Sequence, residues 1–267
     1  MKKKILVCYL FTVFDNTKSL KNFIKNYKKN NAGIKHNLLI CFKLLGEKKI
    51  SSLKKILNGV NYIEFIDNFP NNDFDFGSYH RVALKYHSHI IFFLNSHSYP
   101  LKKNWLKILM LHYNKKSIIG TSGSYESLFS ALKLKKLYKF FSYFYRYVVY
   151  KNKFKPFPNP HIRTASFLIN GSDFITFIKN HTFLKKEDTW CAESGINSLT
   201  NFFKNKKYKI FIVNSDGMKF TENFWKFSET YNYQNQSKSL ISDKHSRKYL
   251  KLSSNERLIS SLKVWGD

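Results

Sequence analysis

The stretch that decides the fold is HIIFFL, residues His89–Leu94, followed at once by the polar run NSHSYP, residues Asn95–Pro100. A continuous apolar run rich in β-branched and aromatic residues predicts a strand that is buried on both faces. Such a strand is typical of the centre of a parallel sheet, where helices cover both faces. The polar run then lies at the carboxyl end of the strand, which is where open α/β sheets bind their ligands.

Strand-like and helix-like patterns alternate on both sides of this stretch. The first strand is predicted at Ile5–Phe11, and a helix with a polar cap follows up to about Lys29. Further strands are predicted at His36–Phe42, Asn61–Ile66 and Ser117–Thr121, and further helices at Ile50–Leu57, Gly77–Tyr86 and Leu101–Tyr113. This alternation predicts an α/β fold whose mostly parallel central sheet is flanked by helices.

The N-terminal sequence admits two interpretations. Lys2–Lys4 precede an apolar run, as in a signal peptide, but no small-residue cleavage site follows. We favour a buried first strand, and we therefore expect a cytoplasmic protein with reduced thiols. The three cysteines (Cys8, Cys41 and Cys191) lie far apart and form no disulfide framework. The sequence contains no uncharged apolar run of about 18 residues, so no transmembrane helix is predicted.

The charge of the chain is strongly positive, with 46 Lys and Arg against 17 Asp and Glu, a formal net charge of +29. Such a charge attracts polyanions such as nucleic acid or anionic lipid. Only five of the cations are Arg, however, and the many Lys, Asn, Phe, Tyr and Ile residues are typical of A/T-rich coding. Specific nucleic-acid binding relies on Arg. We favour lysines on a solvated surface and keep membrane attraction and nucleic-acid binding as alternatives.

One segment combines charge with aromatic residues. Leu132–Phe157 interleaves lysines and Arg146 with Phe and Tyr, and prolines follow from Pro156. The pattern predicts a basic aromatic helix, which either lies on an anionic membrane surface or packs against the sheet edge with extended Lys stems.

Candidate binding residues follow the predicted strands. Asn95 and His97 are possible ligands of a divalent cation, and Ser96 of a phosphate, although the same residues suit a helix cap. Asp73 and Asp75 are suited to ribose or sugar hydroxyls, or to an ordinary helix start. Gly77 would let a ligand approach the backbone closely.

The second half of the chain adds further candidates. Ser122 and Glu126 belong to a small-residue loop whose N–H groups suit an anion. Arg163, near His161, is suited to clamp a phosphate, or else forms a structural ion pair. Glu193 is a candidate general base or a helix-start carboxylate, and Asp216 follows a strand in a turn-like sequence. From Lys219 onward the chain is polar and reads as a C-terminal extension.

Six blocks in collinear order resemble GT-A-type glycosyltransferases, most closely a divergent bacterial group related to family 2. The blocks are Asp73–Tyr79, Phe92–Leu106, Gly123–Ser127, Pro158–Thr164, Glu193–Gly195 and Asp216-Gly217. The tail Asn235–Gly266 also resembles that group, so the resemblance covers almost the whole chain.

The resemblance implies a single GT-A-like (Rossmann-like) domain over residues 1–218 and an extension over 219–267 that packs on it. Residues 1–125 would bind a nucleotide-sugar donor. Residues 126–218, with a helical insertion at about 132–157, would bind a glycan or lipid-linked acceptor. The activity implied is sugar transfer in cell-surface polysaccharide synthesis, at the inner membrane face or in the cytoplasm.

The resemblance also implies roles for single residues. Glu193 matches the catalytic base of related inverting enzymes, and the other candidates above would bind substrate. The wider class holds Mn²⁺ or Mg²⁺ through a D-x-D motif, where this chain has Asn95-Ser96-His97. The sequence therefore leaves open whether the protein binds a divalent metal ion. A catalytically inactive GT-A-like binding domain is the main alternative, and a nucleic-acid-binding protein is the second.

Overall fold

The computed structural model describes residues 4–134, 138 and 140–266. Its central sheet has eight strands in the order β11-β10-β6-β9-β4-β1-β2-β3. These are β1 (Ile5–Thr12), β2 (Asn37–Lys43), β3 (Ile63–Asp67), β4 (Ile90–Leu94), β6 (Ser117–Gly120), β9 (Ser166–Asn170), β10 (Lys209–Val213) and β11 (Lys219–Phe220). Two small ladders pair β5 (Tyr99–Pro100) with β12 (Ile241–Ser242), and β7 (Gly123–Ser124) with β8 (His161–Ile162).

Helices cover the sheet and carry most of the connections. They are α1 (Thr17–Lys29), α2 (Glu47–Lys54), α3 (Phe74–Lys85), α4 (Trp105–Leu111), α5 (Phe140–Lys153), α6 (Gly171–Ile178), α7 (Lys186–Ser194), α8 (Leu199–Asn205), α9 (Lys244–Tyr249) and α10 (Ser254–Trp265), with a 3-10 helix at Glu222–Ser228. No helix among the described residues is long and apolar enough to cross a bilayer.

The sheet has one large core on each face. Alternate residues of β1 belong to different cores: Leu6, Cys8 and Leu10 pack in one, and Val7, Tyr9 and Phe11 pack in the other. All five residues of β4 are buried, because β4 lies between β1 and β9 near the middle of the sheet. The prediction of a mostly parallel sheet flanked by helices is therefore confirmed.

Strand β9 was not predicted, and it runs antiparallel to both of its neighbours. It pairs with β4 through Leu94 and Ser166, and with β6 through Gly120 and Phe167. Because β9 is reversed, its first residues lie at the edge where β4 and β6 end. Residues just before β9 therefore meet residues just after β4 and β6.

Four helices have other bounds than the sequence predicted. Helix α2 spans Glu47–Lys54 rather than Ile50–Leu57, and α4 spans Trp105–Leu111 rather than Leu101–Tyr113. Helix α3 begins at Phe74 rather than Gly77, because the carboxylate of Asp73 just before it pairs with Lys43 at the end of β2 and with Arg81 of α3 itself. Helix α5 begins at Phe140 and ends at Lys153, so it is shorter than the predicted span of about 132–157. Residues 135–137 and 139 of that span lie outside the described residues.

Gly77 is required by the packing of Asp73. A Cβ atom at position 77 would overlap the carboxylate of Asp73, which is already fixed by its two cationic partners. We expect Gly77→Ala to lower the free energy of unfolding by about 1–3 kcal/mol, as overpacking does. Urea denaturation measures this loss. Gly46→Ala is the matched control, since nothing lies within 4 Å of a Cβ there. An equal loss in both variants would contradict the explanation.

Candidate functional site

The candidate site lies where the strand ends meet. The backbone N–H of Asn95, after β4, donates to the carbonyl oxygen of Ala165 at 3.1 Å. The N–H of Arg163 donates to the carbonyl oxygen of Ser122, after β6, also at 3.1 Å. The reversed strand β9 thus joins three loops at one edge of the sheet.

A cavity of about 600 Å³ opens at this edge. Six of the sequence-predicted residues line it: Asp75, Asn95, Glu126, His161, Arg163 and Glu193. The cavity is completed by residues that the sequence did not single out, among them Lys186, Trp190, Tyr231, His245, Lys248 and Lys263. Four of these belong to the C-terminal extension, so the extension forms part of the cavity wall.

Glu193 lies in the last turn of α7, not at a helix start. Its Oε1 atom accepts a hydrogen bond of 2.8 Å from the backbone N–H of Thr164. This bond ties the carboxylate of α7 to the loop before β9. A carboxylate that is fixed by a backbone donor and lines a cavity is suited to accept a proton from a bound hydroxyl group.

His161 is buried beside Glu193. Burial lowers the pKa of His161 below its ordinary value, although the Glu193 carboxylate acts in the opposite direction. The Nδ1 atom lies 2.8 Å from the carbonyl oxygen of Asn159. In the neutral ring Nδ1–H therefore donates to that oxygen, which leaves Nε2 as an acceptor.

Asp75 is the second carboxylate of the cavity. Burial raises the pKa of Asp75 above its ordinary value, the nearby cation Lys186 lowers it, and the charge of Glu193 raises it further. A carboxyl group whose pKa is raised holds its proton more readily, and in that form it can donate a hydrogen bond to an oxygen of a ligand in the cavity.

Arg163 is engaged by the C-terminal extension. Its Nη1 atom lies 2.5 Å from Oδ2 of Asp243, and its guanidinium stacks 3.6 Å from the ring centroid of Tyr231. Burial alone would raise the pKa of Asp243, but Arg163 and the N–H of Ser246 outweigh it, so that pKa lies below its ordinary value. The structural ion pair, one of the two interpretations of Arg163, is present.

The donor set after β4 does not fit a divalent cation. Oδ1 of Asn95 already accepts from the N–H of His97 and the hydroxyl of Ser98. The carboxylate of Asp15, 3.6 Å from His97, accepts from the Ser96 hydroxyl at 2.6 Å. Within the described part of the chain, no three His, Cys, Asp or Glu side chains are grouped closely enough to hold a metal ion.

Asp73 lies outside the cavity in a buried charge network. It pairs with Lys43 and Arg81, and Arg81 also pairs with Asp67 at 2.6 Å. Phe74, the next residue, has a left-handed backbone with φ 57°, and its carbonyl oxygen accepts from Lys43 at 2.8 Å. The network therefore fixes the start of α3, and so the position of Asp75.

Four other predicted residues do not line the cavity. Ser122 accepts from Arg163 at 3.2 Å, and Ser96 bonds to Asp15. The ring of His97 lies 3.6 Å from the Asp15 carboxylate. Asp216 lies in the turn after β10, 3.6 Å from Lys238. Gly77, described above, packs against Asp73.

Asp15 and Asp243 carry structural roles that the sequence analysis missed. Asp15 belongs to the polar residues that precede α1, and its bond to Ser96 depends on the pairing of β1 with β4. Asp243 begins α9 by accepting from the N–H groups of His245 and Ser246, a local capping pattern that is visible in the sequence. Its contact with Arg163, 80 residues away, cannot be predicted from the sequence around either residue.

Protonation of histidines is expected to weaken the fold below neutral pH. Burial lowers the pKa of His161, so the unfolded chain binds this proton more readily than the folded chain, and stability is lost as pH falls through about 6.5. Burial lowers the pKa of His36, His80, His89, His97, His181 and His245 as well.

Urea denaturation between about pH 7.5 and about pH 5 measures this loss. We expect His161→Gln to flatten the pH dependence and His87→Gln, at an exposed position, to leave it unchanged. A pH dependence that is identical in all three proteins would contradict the assignment to His161.

Comparison with known proteins gives structural similarity alone. No protein-family model matches the sequence, and no curated protein matches it. The fold is similar to the mannosyltransferase Ktr4p of S. cerevisiae, at 12% identity and a TM-score of 0.38, over 71% of this chain and 59% of that chain. It is also similar to GalNAc-T7, solved with UDP, GalNAc and Mn²⁺, at 12% identity and a TM-score of 0.44, over 70% of this chain and 39% of that one.

HddC from Yersinia pseudotuberculosis is similar at 11% identity and a TM-score of 0.40, over 74% of this chain and 96% of that chain. The chain spans less than two thirds of the length of the first two proteins. The fold itself is an α/β domain with a mostly parallel eight-stranded sheet and helices on both faces.

Proposed function

We propose that the protein is a glycosyltransferase that moves a sugar from a nucleotide-sugar donor to a glycan or lipid-linked acceptor in cell-surface polysaccharide synthesis. The observation that carries the proposal is the cavity at the carboxyl edge of the sheet, where Glu193 and Asp75 lie together with Lys186 and Lys248. The collinear resemblance of the sequence blocks supports the same class. A cavity of about 600 Å³ also suits a ligand of this size.

In the proposed reaction Glu193 accepts the proton of the acceptor hydroxyl. The hydroxyl oxygen forms a bond to the anomeric carbon of the donor sugar, and the bond from that carbon to the diphosphate oxygen breaks. The diphosphate leaves with the bonding electrons. Thr164 keeps Glu193 oriented through its backbone N–H, and the neutral His161 beside it adds an acceptor for a second hydroxyl.

The departing diphosphate requires positive charge. Arg163 is committed to Asp243, so the cations of the cavity that suit this role are Lys186 and Lys248. Lys263, a further cavity cation, pairs with Glu126 at 2.5 Å. We therefore propose that α7 and α9 supply the charge that stabilises the leaving group. The side chains after β4 do not fit a divalent cation, so Lys186 and Lys248 are the proposed source of positive charge.

One observation favours a second candidate, a GT-A-like domain that binds a glycan or nucleotide sugar without turnover. The side chain of Asn95 is used to hold its own turn, where the wider class has a metal-binding carboxylate. A domain of this kind would keep the cavity and lack the transfer step.

The two candidates are separated by a donor panel. Purified protein is incubated with UDP-, GDP-, dTDP- and CMP-sugars, with EDTA or with Mn²⁺, and both free nucleotide and sugar transfer are measured. Release of nucleotide from one donor supports the transferase. Binding of a donor by calorimetry, with no release or transfer under either condition, would favour the binding domain. If no donor in the panel binds or reacts, the transferase is contradicted, and the binding domain is left with a glycan as its ligand.

A further inference from the structure

Helix α5 exposes an aromatic strip on the side opposite its packed side. The ring of Phe129 packs against that of Tyr147 at a tilt, with ring centroids 5.2 Å apart, and Tyr150 and Phe154 are buried. Phe141, Phe144, Tyr145 and Val148 lie on the opposite side at spacings of three and four residues, and all are exposed, Phe141 to 85% and Tyr145 to 69%. These four residues are the outer strip of α5.

Helix α10 has a second outer strip. Its inner side lines the cavity through Ser260, Lys263 and Val264. The outer strip of α10 consists of Leu258, Ile259 and Leu262, and Ile259 is 66% exposed. Isolated exposed apolar residues are normal, but strips of this kind on a charged protein mark interaction surfaces.

The two helices attach to the same segment of the cavity wall. The backbone N–H of Tyr125 donates to the carbonyl oxygen of Val264 at 3.1 Å, which joins this segment to α10. Phe129 joins the segment to α5, and Leu128, between them, lines the cavity. Both outer strips are therefore carried by helices that adjoin one wall of the cavity.

The segment that contains α5 carries cations and no acidic residue, although Lys153 at the end of the helix pairs with Glu187 of α7. Residues 127–160 contain no Asp or Glu, and their cations are Lys133, Lys135, Lys136, Lys139, Arg146, Lys151, Lys153 and Lys155. Exposed aromatic side chains flanked by Lys and Arg fit the interface of an anionic bilayer, where rings enter the headgroup region and cations contact phosphates. A second copy fits poorly, since each chain carries a net charge of +29.

We propose that the outer strips of α5 and α10 dock the protein on the surface of an anionic bilayer. The helices lie in the interface and do not span it: the 14 residues of α5 cover only about 21 Å. The binding requires no sugar and no catalysis, so it holds or fails independently of the proposed transferase activity.

Vesicle flotation of the full chain tests the proposal. Vesicles of phosphatidylcholine are compared with vesicles that contain about 30 mol% phosphatidylglycerol, at about 150 mM salt. We expect binding to the anionic vesicles alone. The double variants Phe141→Ser/Phe144→Ser and Leu258→Ser/Ile259→Ser should each lower the bound fraction about ten-fold or more. Leu111→Ser on α4, at a residue that is 70% exposed, is the matched control and should bind as the unchanged protein does.

Several results would overturn the proposal. These are equal binding to neutral vesicles, no binding to either kind, or double variants that bind like the unchanged protein while their melting temperatures are also unchanged. A lipid-free dimer that the serine variants dissociate would assign the strips to a second copy. Displacement of the vesicles by an oligonucleotide at the same salt concentration would assign them to nucleic acid.

Discussion

Replacement of Glu193 by Gln is expected to lower sugar transfer by about 10²–10⁴-fold, the range that a general base contributes. Glutamine keeps the size of the side chain, and its amide oxygen can still accept from the N–H of Thr164, so the geometry of the loop before β9 is retained. What is lost is the ability to take the acceptor proton. Donor binding, measured by calorimetry, should therefore change by no more than about two-fold.

The matched control is Glu187→Gln on the same helix. Glu187 lies in the first turn of α7, pairs with Lys153 at 2.5 Å and does not line the cavity. Its replacement should leave transfer unchanged. If Glu193→Gln transfers sugar at the full rate, Glu193 is not the base, and His161 becomes the next group to replace.

The second large effect is expected at Asp243. Asp243→Asn removes the partner of a buried guanidinium, and breaking a buried pair from one side costs about 3–5 kcal/mol because the remaining charge is uncompensated. Both side chains of this pair are less than a tenth exposed. Urea denaturation should show the loss as a lower midpoint with an unchanged slope.

Two further variants make this result interpretable. In Arg163→Met/Asp243→Asn neither member of this pair is charged, so most of the stability should return, even if the single variant fails to fold. Asp216→Asn disrupts an exposed pair with Lys238 and should leave the midpoint where it is. A double variant that is as unstable as Asp243→Asn would show that the ion pair is not the cause.

The sheet was largely predictable, since its signal is local. The apolar run of β4 and the alternation around it follow from burial on both faces, and the structure confirms them. The direction of β9 could not be predicted, because an apolar run does not indicate which way a strand runs. Phe167–Ile169 would suit a parallel position equally well. Its reversal depends on pairing with β4 and β6, which are remote in sequence.

The sequence indicated many of the residues that form the site, but it did not indicate how they are arranged. Asp73 and Asp75 look alike in sequence, yet the left-handed backbone at Phe74 lies between them, and only Asp75 lines the cavity. Arg163 was singled out because Arg is rare in this chain, but nothing near it in sequence indicated Asp243. Long-range contacts of this kind follow from the topology, which no single segment encodes.

The pairing of Arg163 with Asp243 has a consequence for how the protein is made. Eighty residues separate the two side chains, and at synthesis rates of about 5–20 residues per second that interval lasts about 4–16 s. During this time Arg163 lacks the carboxylate of Asp243, and β5 still lacks β12. The cavity therefore cannot be completed before the tail has been synthesised, and a chain cut short before Asp243 lacks both the ion pair and part of the cavity wall.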